Sequence, residues 1–213
     1  LRPDHPHVIH LQERGRNVQG VGAVTMTELV RTALRMRPDR IVLGECRGPE
    51  VRDVLTALNT GHEGGWATLH ANSTADVPAR LTALGALAGM DETTVAAQAA
   101  SALDAVVHLR RERTPAGAVR VVASVGVLGR RPGGGALVCE EALRRRPDGA
   151  LVAGPAAQSL EALLARAGDE LARRGGSAGA APGIPGMGTA PGAGSASGAE
   201  PVRGARRRTG ARP

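Results

Sequence analysis

Apolar positions recur at helical spacing through the first half of the chain. After Thr25, the residues Met26, Leu29, Val30, Ala33 and Leu34 fall on one helical face. Thr25 and Glu28 have the spacing of a capping box, in which a hydroxyl and a carboxylate satisfy free backbone amides, and Pro38 closes the helix. Ile41-Val42-Leu43 is a short unbroken apolar run ending in Gly44-Glu45, the pattern of a buried strand in a parallel sheet. Gly48-Pro49 opens a second helix, with proline at its first position and Val51, Val54, Leu55 and Leu58 on its face, before Gly61 ends it. Trp66–His70 reads as a further strand. Ser73 and Asp76 have the spacing of another capping box, and Val77, Leu81, Leu84 and Leu87 form the face behind it. A fourth helix is expected from about Asp91 to Leu103. The segment before Thr25 reads as irregular, with one short strand at His7–Leu11.

From residue 105 the pattern changes. Ala105–Leu109, Arg120–Val127, Ala136–Cys139 and Ala150–Ala153 read as strands, the last preceded by a turn at Pro147-Asp148-Gly149. A final helix over Ser159–Arg173 places Leu160, Leu163, Leu164, Ala167 and Leu171 on one face. Strands alternating with helices predict an α/β fold with a mainly parallel sheet, and the later run of strands predicts antiparallel additions at its edge. Residues 175–213 hold Gly, Ala, Ser, Pro and Arg with almost no large apolar side chain. Such a stretch buries too little surface to offset its ordering entropy, so we expect a disordered tail after a folded domain over residues 1–174.

Composition sharpens this picture. All 27 basic residues are Arg, so the chain has no lysine with which to build a P-loop around ATP phosphates. The chain opens on Leu1 rather than Met, and we expect a missing upstream part. The net charge is +7, but residues 176–213 hold five Arg against one Glu, which leaves the folded part close to neutral. Trp66 is the one aromatic residue. Single-strand nucleic-acid binding relies on stacking against rings, so no nucleic-acid partner is expected. The triplet Arg206-Arg207-Arg208 could meet an anionic membrane surface or simply be solvated. Cys46 and Cys139 lie in apolar runs and read as reduced, buried thiols, with a disulfide left open. No run approaches the roughly 20 apolar residues of a membrane span.

Two stretches carry candidate chemistry. In the first, Arg37 to Gly48, an apolar strand ends in the carboxylate of Glu45. In an α/β sheet that geometry holds an acid at the carboxyl edge, where ligands bind, so that it can polarise water or help hold Mg²⁺. The second, Thr60 to Ser73, combines a Gly-rich turn, a strand, and a polar cluster of Thr68, His70, Asn72 and Ser73 at its end. A histidine there can donate to a phosphate oxygen or a water, or can simply satisfy backbone carbonyls. His62-Glu63 starts like a zinc-protease helix, but no histidine follows at the spacing of His-Glu-x-x-His.

Together the stretches Arg-Pro-Asp-Arg-Ile-Val-Leu-Gly-Glu-Cys-Arg-Gly and Thr-Gly-His-Glu-Gly-Gly-Trp-Ala-Thr-Leu-His-Ala-Asn-Ser resemble the type II/type IV secretion-system ATPase superfamily, and look closest to its tight-adherence (Flp) pilus-assembly branch. The resemblance covers roughly residues 1–128. It implies the C-terminal portion of a RecA-like P-loop ATPase core that lacks the Walker A loop, which would lie upstream. It implies ATP and Mg²⁺ as cofactors, a homo-hexamer, a cytoplasmic location at the inner face of the cell membrane, and an inner-membrane platform protein as partner. Glu45 would be the Walker B carboxylate, preceded by Gly44 and touching Mg²⁺ indirectly. His62 and His70 would be the paired histidines of the His box, with His70 beside the γ-phosphate and Thr68 nearby. Arg35, Arg37 and Arg47 are candidates for charge stabilisation; each could equally serve a salt bridge at a helix end. Trp66 stands where a smaller residue is expected, which suggests local repacking. A rival expectation is a catalytically inactive interaction module of such a machine.

Overall fold

The structure, a computed structural model, describes residues 5–16, 18, 22–62, 64–115, 117–133 and 135–174. The chain divides into Leu1–Arg174 and Gly175–Pro213, so the expected tail lies outside the described residues.

Helix α1 (Met26–Arg35) starts as its sequence dictates: the Thr25 side chain accepts from Glu28 N–H, and the Glu28 carboxylate accepts from Thr25 N–H at 2.8 Å. It ends at Met36 with Arg37 in the left-handed region (φ 51°), just before Pro38. Strand β1 (Val42–Leu43) leads through helix α2 (Val51–Asn59) to strand β2 (Trp66–Ala67), and β1 and β2 pair in parallel, Val42 with Trp66 and Leu43 with Ala67. Helices α3 (Val77–Leu87) and α4 (Glu92–Ala102) follow. Asp91 caps α4 by accepting from Thr94 N–H. Strands β3 (Ala105–Thr114), β4 (Gly117–Arg130), β5 (Leu137–Arg145) and β6 (Leu151–Ala153) form an antiparallel sheet in chain order, and helix α5 (Ala157–Arg174) ends the described chain.

Several expectations need correction. The larger sheet is antiparallel and separate, while the parallel pairing is two strands of two residues. Short turns join β3 to β6 one after another, and a short turn can return a chain only antiparallel to itself. The segment 7–11 forms no strand, and nearby a bridge pairs Arg14 with Val24. Ser73 and Asp76 form no capping box: Asp76 has helical backbone angles and makes no side-chain cap, and it accepts instead from the Ser73 hydroxyl at 2.7 Å. Trp66 is 62% exposed.

One apolar cluster holds the described parts together. It joins Val30 of α1 and Leu43 of β1 to Val51, Val54, Leu55 and Leu58 of α2, to Leu81 and Leu84 of α3, to Val95 and Ala99 of α4, and to Leu128 and Leu137 of the antiparallel sheet. Helices α3 and α4 cross closely because residue 85 is glycine: a Cβ there would collide with a methyl of Val95. Arg31 of α1 also pairs with Asp53 of α2 at 2.9 Å.

Candidate functional site

Glu45 lies two residues past the end of β1, after Gly44. The parallel pairing continues past β1, with Thr68 N–H donating to the Leu43 carbonyl and Cys46 N–H donating to the Thr68 carbonyl at 2.7 Å. Glu45 lies between those two bonds, so its backbone is held on both sides at the carboxyl end of the strand. The Thr68 hydroxyl donates to the Gly44 carbonyl and tightens the same junction. Gly65 opens β2 where a Cβ would stand 2.9 Å from the Ile41 carbonyl, and the Trp66 N–H then donates to that carbonyl.

This framework brings His70 to Glu45. Their Nε2 and Oε1 lie 3.0 Å apart. An ionised carboxylate only accepts, so this contact places the proton on Nε2. The pair is open to solvent, with 83% of the His70 side chain and 40% of Glu45 exposed. Arg47 reaches toward the other carboxylate oxygen at 4.0 Å and binds Glu13 Oε2 at 3.3 Å. Glu13 in turn accepts from Met26 N–H at the start of α1. Glu45, Arg47, His70 and Glu13 therefore form one chain of charged and polar contacts across three separate segments.

The other expected residues are placed differently. His62 lies at the end of α2, half-buried, with Nδ1 3.2 Å from the Ala57 carbonyl, and no hydrogen bond or ion pair joins it to Glu45 or His70. Thr68 and Gly44 serve the strand junction. Arg35 and Arg37 are exposed at the C-terminal end of α1. Cys46 and Cys139 are free thiols. Burial pushes Cys46 up to about 12, with the Glu50 carboxylate adding to the effect and Arg80 opposing it, and burial pushes Cys139 up to about 11. Neither is a thiolate near neutral pH.

Sequence reasoning missed Glu50 and Glu13. Glu50 is only 4% exposed, and its Oε1 accepts from both Arg47 N–H and Gly48 N–H, which fixes the loop that follows Glu45. An acid directly after Gly48-Pro49 at a helix start was the available signal. Glu13 gave none, since its partners lie 13 and 34 residues away.

A family model described as type II/IV secretion system protein matches residues 1–169. The chain belongs to that family. A protein of Mycobacterium tuberculosis named for conjugal transfer is 57% identical over 113 residues, covering 53% of this chain and 32% of that protein. The type IV secretion system protein PtlH of Bordetella pertussis is 45% identical over 80 residues, 37% of this chain and 22% of PtlH. The conjugal transfer protein TrbB of Rhizobium radiobacter is 40% identical over 74 residues, 35% of this chain and 20% of TrbB. The matched stretches span a third or less of these relatives.

For a member of this family the donor set can be tested against Mg·ATP. Glu45 keeps a carboxylate oxygen open enough to hold a metal-bound or attacking water, and Arg47 adds N–H donors beside it, while the Nε2–H of His70 is spent on Glu45. These residues fit the acid side of such a site. A phosphate cradle with its lysine is not among them, since the chain has no lysine. No helix among the described residues is long and apolar enough to cross a membrane.

Proposed function

We propose that this chain is the acid-bearing C-terminal portion of a RecA-like ATPase that powers a secretion or pilus-assembly machine. The observation that carries this is the Glu45–His70 pair, held at the carboxyl ends of two parallel strands in a chain of the type II/IV secretion system family. The intact protein would hydrolyse Mg·ATP by in-line attack of water on the γ-phosphate. Bound Mg²⁺ would neutralise charge on the phosphates. Glu45 would orient or polarise the water, and His70, bonded to Glu45, would hold that carboxylate in place beside the γ-phosphate. Arg47 sets the local field; Arg35 and Arg37, exposed at the end of α1, are free to serve across a subunit interface. His62 supports the turn before β2 from the end of α2.

The names of the relatives carry conjugal transfer and type IV secretion. They support a secretion or transfer machine as the client; that a homo-hexameric ring acts on a membrane platform from the cytoplasmic side is part of this proposal. Positioning supplies most of phosphoryl-transfer catalysis, so the 213-residue chain alone is expected to show no significant turnover.

The test compares this chain with the complete protein carrying an upstream phosphate-binding loop, using a fluorescent ATP analogue with Mg²⁺ and a phosphate-release assay. Only the complete protein is expected to bind and hydrolyse. Glu45→Gln in it is expected to lower kcat by about 10²–10⁴-fold while analogue binding persists. Hydrolysis by the 213-residue chain, abolished by the same change, would overturn the division of labour. Failure of both proteins to bind would favour the inactive interaction module.

A further inference from the structure

Between Glu45 and helix α2 the chain runs through Cys46, Arg47, Gly48 and Pro49. One end of this loop is tied to β2, where the buried Cys46 donates its N–H to the Thr68 carbonyl. The other end is tied to one buried side chain. Glu50 Oε1 accepts from Arg47 N–H at 2.7 Å and from Gly48 N–H at 2.9 Å. A carboxyl group taken out of water is costly to a fold unless such bonds hold it. The ordinary role of an acid at a helix start is to cap that helix, and Glu50 does not. It stands at the N-cap position of α2 with helical backbone angles and makes no side-chain cap bond. Its carboxyl group turns back to the loop instead, and the fit there is close. A Cβ on residue 48 would stand 2.9 Å from Glu50 Oε2, and the three atoms nearest to it all belong to that carboxyl group.

We propose that Glu50 is a positioning residue of the acid site, fixing the Arg47–Gly48 backbone so that Arg47 keeps its place beside Glu45. The inference rests on the Mg·ATP reading of that site. Glu50 is buried and touches no substrate; it acts through the loop. The guanidinium of Arg47 spans Glu13 at 3.3 Å and Glu45 at 4.0 Å, and the Arg47 N–H is the bond to Glu50. A long exposed side chain has many rotamers, so where its head can reach depends on a fixed backbone beneath it. The brace itself is rigidly mounted, because Val51, Val54 and Leu55 of α2 lie in the apolar cluster. A shift of about 1 Å in groups that act on a substrate can cost about 100-fold in rate. What the two N–H bonds use is an acceptor oxygen at the right reach. Glutamine supplies one without the charge, and aspartate keeps the charge but falls one methylene short.

The test is steady-state ATP hydrolysis by the complete protein. Glu50→Asp and Glu50→Ala are expected to lower kcat by about tenfold or more with KM for ATP within about twofold, while Glu50→Gln keeps most of the parent rate. Gly48→Ala reaches the same contact from the other side. Its Cβ pushes against the Glu50 carboxyl group, the free end of a flexible side chain, so kcat is expected to fall while the melting temperature stays near the parent's. Added to Glu50→Ala it is expected to change little, because both substitutions break one contact. Asp91→Ala, which removes the cap of α4, is the control: a lower melting temperature with kcat unchanged. A Glu50→Asp protein with the parent's kcat overturns the proposal. So does Glu50→Gln slower than Glu50→Asp, which would make charge the property that matters. Variants that lose melting temperature and keep kcat overturn it too, leaving Glu50 a stabilising residue alone. If Glu45→Gln leaves hydrolysis intact, the reading of the acid site falls and this inference with it. If Glu45→Gln abolishes hydrolysis and the Glu50 variants stay fully active, this inference falls alone.

Discussion

At the scale of single residues, local strain marks the end of α1. Arg37 is the one described non-glycine residue with positive φ, and it stands directly before a proline, which disfavours helical geometry in its neighbour. A left-handed conformation costs an L-residue about 1 kcal/mol or more. Arg37→Gly is therefore expected to raise the stability of the folded chain by about 1 kcal/mol in urea unfolding. If Arg37 also serves the phosphates across a subunit boundary, the same change lowers ATP hydrolysis by the complete protein. A gain in stability with unchanged hydrolysis would leave Arg37 as a helix-end residue alone. Glu45 was legible because an apolar run ended in an acid. Its bond to His70 was not, because 25 residues separate the two and only the strand pairing aligns them.

At the scale of elements, the helices followed their pattern closely because a helix satisfies its backbone locally and its ends are written in caps. The box at Thr25–Glu28 and the cap at Asp91 both appear as hydrogen bonds, and those bonds hold the Glu28 and Asp91 carboxyls below their ordinary values. A lowered value in the folded state means that folding favours the ionised form. The stability from these caps is thus fully present above the ordinary values of 4.5 and 3.8 and is lost as pH falls from there through the lower folded-state values. Glu28→Ala with Asp91→Ala is expected to lower the urea midpoint at neutral pH, and the difference from the parent is expected to shrink as pH falls below the ordinary values of 4.5 and 3.8. Strands were less legible. Reading the apolar run ended one at Leu109, yet β3 continues through Arg110–Thr114, because its ladder with β4 needs backbone groups and not apolar side chains. In β5 the same holds for Glu140–Arg145.

At the scale of the whole molecule, one apolar cluster serves the helices, the parallel pair and the antiparallel sheet alike. Leu55 and Leu84 are its largest fully buried side chains. Leu55→Ala is expected to cost about 2–5 kcal/mol, read as a lowered urea midpoint with an unchanged slope. Two separate transitions would show instead that the sheets do not share a core. The sequence by itself determined the helices, the acid at the end of β1, the polar cluster after β2, the absence of a lysine and the resemblance to a secretion ATPase, because each is written in neighbouring residues or in composition. Only the tertiary structure decided that the larger sheet is antiparallel and separate, that Glu45 meets His70 while His62 turns to a carbonyl of α2, and that Glu13 and Glu50 brace the loop of Arg47. Each of these depends on which distant segments pack side by side, and the energy of such contacts belongs to pairs of residues that the linear order keeps apart.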